Sequence, residues 1–219
     1  MDDKEKKLIK EIQDDSNIVA MFDYGSRVYK TNTEISDRDV VVVLKNHQND
    51  LLTSKLIEQL SKIFDVTAYS EEQFLEKVNL HDIDALECMY LPNDSVYKNE
   101  LIGFNIPIHL PTLRHSVSQK ASNSWVKAKK KFSVEADFDP HIGKKSAWHS
   151  IRILDFGTQI ATNQKIINYT SVNHLYQPIM NCQTWEELEQ NFKKVHNEYA
   201  TKFRLHAPKE INLNNSQKP

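Results

Sequence analysis

Two aspartates, Asp37 and Asp39, stand one residue apart at the start of an apolar run, and a Gly-Ser pair at residues 25–26 precedes them. The apolar run covers residues 40–44, and a second one, residues 18–22, lies before the glycine. Short apolar runs rich in Val and Ile predict buried strands, here joined through a turn at the glycine. Alternate side chains of a strand point to the same side of the sheet. The chain is therefore expected to place two carboxylates on one face, where a strand begins.

Carboxylates arranged in this way suit divalent cations. Hard cations such as Mg²⁺ prefer carboxylate oxygens, and phosphoryl chemistry at a nucleoside triphosphate uses two ions, one at the attacking hydroxyl and one at the leaving pyrophosphate. A third carboxylate is expected on a neighbouring strand, and Asp65 supplies it after an amphipathic stretch. The pattern predicts that Asp37, Asp39 and Asp65 are catalytic and hold two Mg²⁺ or Mn²⁺ ions. Asp65 would complete the nucleophile side and accept the hydroxyl proton.

The Gly-Ser pair predicts a phosphate-binding turn. Gly25 lets the backbone approach a ligand closely, and Ser26 adds a hydroxyl beside free backbone N–H groups. Taken singly these features are weak, because Gly-Ser turns are common and an isolated Asp-x-Asp usually marks a solvated loop or a helix cap. Asp65 alone could equally begin an edge strand. The ordered set of strand, Gly-Ser, Asp-x-Asp and a third aspartate favours the catalytic interpretation.

The segment 24–39 resembles the signature of the DNA polymerase beta-like nucleotidyltransferase superfamily. It is similar, more narrowly, to nucleotidyltransferases of the RNA repair type, which carry Tyr-Gly-Ser-Arg and then Ser-Asp-x-Asp, as residues 24–27 and 36–39 do here. Residues 86–92 and 144–154 resemble two further blocks of that family. The resemblance implies metal-dependent transfer of a nucleoside monophosphate from an NTP, with Arg27 beside the nucleotide. Its narrower form implies that the enzyme acts on RNA ends.

One residue departs from the superfamily pattern. Arg38 stands where an apolar residue is usual between the two acids. On a strand it points away from Asp37 and Asp39, so we expect it to reach solvent or a partner and to leave the site intact.

Positive charge is concentrated in the middle of the chain, although the formal net charge is only −2. Residues 110–165 hold ten Lys and Arg against four Asp and Glu. Helical spacing over residues 113–131 predicts a packed strip of Val117, Ala121, Trp125 and Ala128. The neighbouring strip is predicted to bind RNA through Lys120, Lys127 and Lys131. The alternative for each lysine is a solvated helix surface.

A later helix carries a second cationic cluster. Lys145, His149 and Arg152 recur at positions i, i+4 and i+7 and therefore share one helix face. Stacked cationic groups repel each other, and a bound anion removes that cost. With help from the family resemblance, these residues are predicted to bind the triphosphate of the nucleotide. His149 could instead be a buried hydrogen-bonding residue.

The order of the elements predicts an α+β fold, in which a small mixed nucleotidyltransferase sheet flanked by helices precedes a C-terminal helical domain. Strands are expected at residues 18–22, 39–44 and 65–70. Helices are expected at about residues 3–15, 49–63, 71–78, 112–132, 142–163 and 184–203. These elements predict a catalytic domain at 1–108, a helical domain with nucleotide and substrate contacts at 109–206, and a flexible tail at 207–219.

The rest of the sequence bounds where the protein works. Cys88 and Cys182 stand without a partner motif and are predicted to be free thiols in a reducing compartment. No apolar run reaches the length needed to cross a bilayer, and the first residues are charged. We therefore expect a cytoplasmic enzyme with an NTP and RNA as partners and no membrane contact.

Two alternatives to this function stay open. The acceptor could be a protein hydroxyl or a small molecule instead of RNA. The chain could also bind nucleotide or RNA without catalysis, which is disfavoured because clustered carboxylates without a function repel each other at a cost.

Overall fold

The computed structural model describes residues 3–45, 51–101 and 106–209. The chain divides into two compact units, a first of Met1–Asn79 and Asp84–Ile106 and a second of Leu80–Ile83 and Pro107–Pro219. The predicted domain boundary after residue 108 stays a prediction. The predicted flexible tail lies outside the described residues from residue 210 onward.

The first unit is built on a four-stranded mixed sheet. Its strands are β1 (Ile18–Tyr24), β2 (Asp39–Leu44), β3 (Asp65–Ser70) and β4 (Val96–Asn99), in the order β3-β2-β1-β4. Strand β1 runs antiparallel to both of its neighbours, whereas β2 and β3 are parallel. The helices of this part of the chain are α1 (Asp3–Asp14), α2 (Leu51–Leu60), α3 (Glu71–Asn79) and α4 (Ile83–Met89).

Both faces of this sheet are apolar along the middle of the strands. On one face, Val40 and Val42 of β2 pack in a core with Ile9 and Ile12 of α1. On the other face, Phe22 of β1 stacks on Phe74 of α3, with ring centroids 6.0 Å apart. Burial on two faces explains why β1 and β2 have continuous apolar runs instead of an alternating pattern.

The second unit is helical. It contains α5 (Leu110–Ser133), α6 (Pro140–Asn163), α7 (Tyr176–Asn181) and α8 (Trp185–His206). Polar side chains cap two of these helices at the N-terminus: Asp139 accepts a hydrogen bond from the N–H of Ile142, and Thr184 from that of Glu187. Helix α6 is buried along most of its length and forms the centre of the unit.

The predicted α+β class is confirmed: a mixed sheet with flanking helices precedes a helical region. Every predicted strand and helix is present, with ends within about three residues of those expected, and residues 49–50 of the second predicted helix lie outside the described residues. The short elements β4, α4 and α7 were not predicted. Within the described residues no helix has both the length and the apolar character needed to cross a bilayer.

Candidate active site

Two of the predicted catalytic acids are neighbours in the sheet. Asp39 is the first residue of β2, Asp65 is the first residue of β3, and the two are Cα partners in the parallel ladder. Side chains of paired residues in a parallel ladder lie on the same side of the sheet. The N–H of Asp65 donates to the carbonyl oxygen of Arg38 at 2.8 Å, which holds the starts of the two strands in register. The Asp65 side chain is exposed and that of Asp39 is half-buried.

Gly25 lies directly against Asp39. Its φ is +72°, a conformation that side chains rarely tolerate, and a Cβ built on it would stand 2.0 Å from Oδ2 of Asp39. Tyr24, the last residue of β1, is the Cα partner of Asp39 in the antiparallel ladder. The position therefore requires glycine, because both the backbone angle and the closeness of the carboxylate exclude a side chain.

The predicted phosphate-binding residues form a short 3-10 turn at Gly25–Arg27, immediately after β1. The carbonyl oxygen of Ser26 accepts a hydrogen bond from the N–H of Thr31 at 2.9 Å. Arg27 donates from Nη2 to the carbonyl oxygen of Ser36 at 3.4 Å. These hydrogen bonds connect the turn to the segment that leads into the Asp-x-Asp motif. The two motifs are therefore close together in the fold, although ten residues separate them in the sequence.

Asp37 lies outside the sheet, in the segment before β2, with an exposed side chain. Among the described residues, no three or more His, Cys, Asp or Glu side chains lie close enough together to hold a metal ion. The backbone thus brings Asp39 and Asp65 together on neighbouring strands, whereas Asp37 lies before β2. The donors still fit the predicted cations in kind and number, because all three are carboxylates and hard divalent cations select oxygen ligands.

Arg38 points away from the acids, as expected, but its partners are inside the first unit. Its guanidinium donates to Oε1 of Glu5 at 3.0 Å and to the hydroxyl of Tyr97 at 3.1 Å. It also lies over the ring of Phe64, 4.6 Å from the centroid. The side chains of Arg38 and Glu5 are only 20% and 17% exposed, so Arg38 forms an ion pair within the first unit, where we had expected it to reach solvent or a partner.

Asp23 extends this polar network. Tyr97 donates to Oδ1 of Asp23 at 2.7 Å. Burial raises the pKa of Asp23, although the Tyr97 hydrogen bond and the charge of Arg38 act in the opposite direction. Burial also raises the pKa of Tyr97 to about 12, and the hydrogen bond to Asp23 adds to this shift. The network was missed in the sequence because its members come from α1, β1, the residue before β2, and β4, which are far apart along the chain.

A second buried contact was also missed. The hydroxyl of Tyr29, shortly after the 3-10 turn, donates to Oε2 of Glu87 in α4, and Glu87 is only 1% exposed. Its position within the family-like block at residues 86–92 was the available signal. The contact joins α4 to the chain that follows the turn.

The face of the sheet that carries the acids continues into a cavity of about 130 Å³. Val41 and Thr67, which lie two residues after Asp39 and Asp65 respectively, line it. This cavity was not predictable from the sequence, because α3 and α4, which close it, lie far from β2 along the chain.

In the second unit, the three residues of α6 that are predicted to bind the triphosphate differ in their exposure to solvent. Lys145 is exposed, His149 is half-buried, and Arg152 is 1% exposed. Arg152 donates from Nη2 to Nδ1 of His149 at 2.5 Å, and its guanidinium lies over the ring of Trp148, 5.3 Å from the centroid. Because Nδ1 accepts this bond, His149 carries its proton on Nε2 when it is neutral. The structure brings Arg152 and His149 together and leaves Lys145 facing solvent.

Helix α5 has the predicted packed strip, since Val117, Ala121, Trp125 and Ala128 are all buried. The lysines of the predicted RNA-binding strip differ in their surroundings. Lys127 is exposed and Lys120 is half-buried. Lys131 forms an ion pair with Asp137, with 2.6 Å between Nζ and Oδ1.

Comparison with known families gives a match over the first part of the chain. Residues 5–106 are similar to a family described as a nucleotidyltransferase domain. The matched segment contains all of the sheet and every candidate residue of the first unit, and it supports both the superfamily resemblance and nucleoside monophosphate transfer as the general activity. Comparisons with curated proteins and with solved structures found no match.

Proposed function

We propose that this chain is a metal-dependent nucleotidyltransferase of the polymerase beta-like type, which moves a nucleoside monophosphate from an NTP to a hydroxyl group and releases pyrophosphate. We further propose that the acceptor is an RNA end, in RNA repair, and that the protein acts in the cytoplasm. The observation that carries the proposal is the in-register pair of Asp39 and Asp65 beside a glycine that has no room for a side chain. This pair lies within the segment that is similar to a nucleotidyltransferase domain.

Asp37, Asp39 and Asp65 would hold two Mg²⁺ or Mn²⁺ ions. When bound, these ions would activate the attacking hydroxyl and neutralise charge on the leaving pyrophosphate. Asp39 and Asp65 are like charges on neighbouring strands, and cations remove the cost of placing them together.

The residues of the first unit then have separate roles. The acceptor oxygen attacks the α-phosphorus, a new P–O bond forms, and the bond to pyrophosphate breaks. Asp65, which is exposed at the start of β3, accepts the hydroxyl proton. Ser26 and the backbone N–H groups of the 3-10 turn contact the phosphates, where fixed donors stabilise developing negative charge. Arg27 is assigned to the nucleotide as well.

Helix α6 is assigned a phosphate-binding role that can be tested separately. Lys145 has the exposed side chain and would contact phosphate directly. His149, one turn along the same face, would be oriented by Arg152 through their hydrogen bond. Lys145→Ala is expected to weaken NTP binding several-fold, as measured by equilibrium titration. Lys165→Ala, an exposed lysine beyond the end of α6, is the matched control.

The RNA contacts are assigned to Lys120, Lys127 and Lys131 of α5. Contacts to phosphate make binding depend on salt, with a slope that falls by about one unit for each lost contact. Lys127, which is exposed, is expected to contribute most. Lys131 is expected to contribute least, because Asp137 competes with RNA for its charge.

The deciding experiment uses the purified protein with each α-labelled NTP, Mg²⁺ or Mn²⁺, and a pool of small RNAs, resolved on a denaturing gel. Label is expected on RNA with the wild-type protein and to be absent with Asp39→Asn. Asp94→Asn, an exposed acid in the turn before β4, controls for loss of a charge as such.

Other outcomes would redirect the proposal. Label on a protein band or on a small molecule would replace RNA as the acceptor and keep the reaction. NTP binding with no transfer to any acceptor would favour a binding protein over an enzyme. Transfer by Asp39→Asn at the wild-type rate would exclude the proposed site.

A further inference from the structure

The cavity lies on the face of the sheet that carries Asp39 and Asp65, called the acidic face below, and begins two residues along the strands from these carboxylates. Its wall includes Val41 and Thr67, each two residues along a strand from Asp39 or Asp65. Two residues of strand extend roughly 6.6 Å, which is about the width of one sugar ring. A group bound in the cavity could therefore be joined through a single sugar to a reacting atom at the carboxylates.

The size of the cavity limits what it can hold. Its volume is about 130 Å³, below the range of roughly 300–1,000 Å³ that is usual for sites enclosing a whole small molecule. The cavity thus takes one part of a larger ligand, of the size of a single ring system. A complete nucleoside or an oligosaccharide does not fit.

The walls of the cavity favour a flat, unsaturated ring. Tyr24, Tyr69 and Phe74 all line it. The rings of Tyr69 and Phe74 are tilted by 48°, with centroids 6.2 Å apart. Phe74 is only 1% exposed and stacks on Phe22, so the half-buried rings of Tyr24 and Tyr69 are the ones that a ligand can reach. Aromatic side chains bind the faces of nucleobases by stacking, with little dependence on which base is present.

Polar groups line the same cavity. Thr67 contributes a hydroxyl, Asp84 a carboxylate, and Lys77 an ammonium group, which lies 5.5 Å from the centroid of the Tyr69 ring. Together they offer both donors and acceptors. The edges of nucleobases carry both kinds of group as well, whereas a hydrocarbon ring carries neither.

We propose that this cavity binds a single nucleobase. The inference rests on the proposed function in taking a nucleotide as the ligand. The base could belong to the terminal nucleotide of the RNA or to the incoming NTP, because both present the same ring chemistry, and the experiment separates the two sources.

The test uses 2-aminopurine, a fluorescent base whose emission is quenched on stacking. One arm titrates the protein into an RNA oligonucleotide that carries 2-aminopurine as its 3′-terminal base, and the other arm uses 2-aminopurine riboside triphosphate. Thr67→Phe fills the cavity from β3. Ala68→Phe adds the same ring at the next residue, which is also exposed but points to the opposite face of the sheet.

The wild-type protein is expected to quench one of the two probes. Thr67→Phe should weaken the binding of that probe roughly tenfold, in keeping with the loss of one stacked base, and Ala68→Phe should leave it unchanged. Thr67→Val, which removes the hydroxyl and keeps the shape, should give a smaller loss in the same direction. Thermal unfolding of all three variants checks that they are folded.

The outcomes separate this inference from the proposed function. Quenching of the RNA probe assigns the cavity to the acceptor, and quenching of the triphosphate assigns it to the incoming nucleotide. Transfer of label to RNA without quenching of either probe, or equal losses in Thr67→Phe and Ala68→Phe, would overturn the nucleobase cavity and leave the enzyme intact. Quenching without transfer would support the cavity and count against the enzyme.

Discussion

Two consecutive residues at the start of β2 serve opposite purposes on the two faces of the sheet in the first unit. Around the start of β2, Arg38 is held on one face by Glu5 and Tyr97. On the other face Asp39 stands next to Asp65, another carboxylate. One face pairs opposite charges, and the other places two carboxylates on neighbouring strands, whose mutual repulsion a bound cation would remove. The comparison teaches that two residues adjacent in the sequence can serve stability on one face of a sheet and chemistry on the other.

The largest effect is expected from Asp39→Asn, on the acidic face. Removing the charge should lower the rate of nucleotidyl transfer by about a thousandfold or more, because transition-state stabilisation depends on it. The protein should stay folded, because the backbone pairing of β2 with β3 does not use the Asp39 side chain. Both are measured together, transfer by gel assay and stability by urea denaturation. A clear loss of stability would show that this face also holds the fold together.

Gly25→Ala tests the contact between the turn and the acidic face. The new Cβ would meet Oδ2 of Asp39, and the positive φ adds strain, so we expect a loss of about 1–3 kcal/mol in unfolding free energy together with a marked loss of activity. Ser26→Ala, in the same turn, should reduce activity with almost no loss of stability. If Gly25→Ala has wild-type stability, the turn is not fixed against Asp39 as the structure has it.

The parts of this site that were predicted from the sequence are those that depend on local pattern. Alternation along β2 placed Asp39 and Arg38 on opposite faces, and the apolar runs located β1 and β2. The exact partner of Asp39 was not predictable, because the register of a parallel pair is set by packing across an intervening helix. The same holds for Glu5 and Tyr97 as partners of Arg38, and for the burial of Arg152. Strand β4 was missed because it is short, at the sheet edge, and only half-buried.

Arg38→Met should give the reverse of the Asp39 result. The substitution keeps the packing of the side-chain stem and removes the ion pair and its hydrogen bonds, which should cost about 2 kcal/mol in unfolding free energy. The transfer rate of the folded protein should change by no more than a few-fold, because the backbone bond from Asp65 to residue 38 remains. Arg38→Lys should restore part of the stability, since it keeps the charge and loses the forked geometry. A thousandfold loss of rate in a stable Arg38→Met protein would place Arg38 in the chemistry.

The smallest effect is expected for Asp23, which lies in the network of Arg38 and Tyr97. It tests whether these two neighbours offset the cost of burying the charge of Asp23. Burial holds the pKa of Asp23 above its usual value of 3.8 in the folded state. Between 3.8 and that raised pKa the folded state binds more protons than the unfolded chain, so the Asp23 contribution to stability is fully present below 3.8 and is lost as the pH rises through the folded pKa. Asp23→Asn cannot titrate, yet its amide oxygen can still accept from Tyr97.

The unfolding free energy of the wild type, taken relative to Asp23→Asn, should therefore fall as the pH rises from about 4 to about 7. Urea denaturation of both proteins across this range measures the difference, and because both contain the same other acids, titration of the acidic face cancels. A difference that instead rises with pH would mean that Arg38 and Tyr97 outweigh burial at Asp23. The partners on the face that carries Arg38 would then fully offset the burial of the Asp23 charge. The contrast with the face that carries Asp39 and Asp65 would be sharper than the pKa of Asp23 implies.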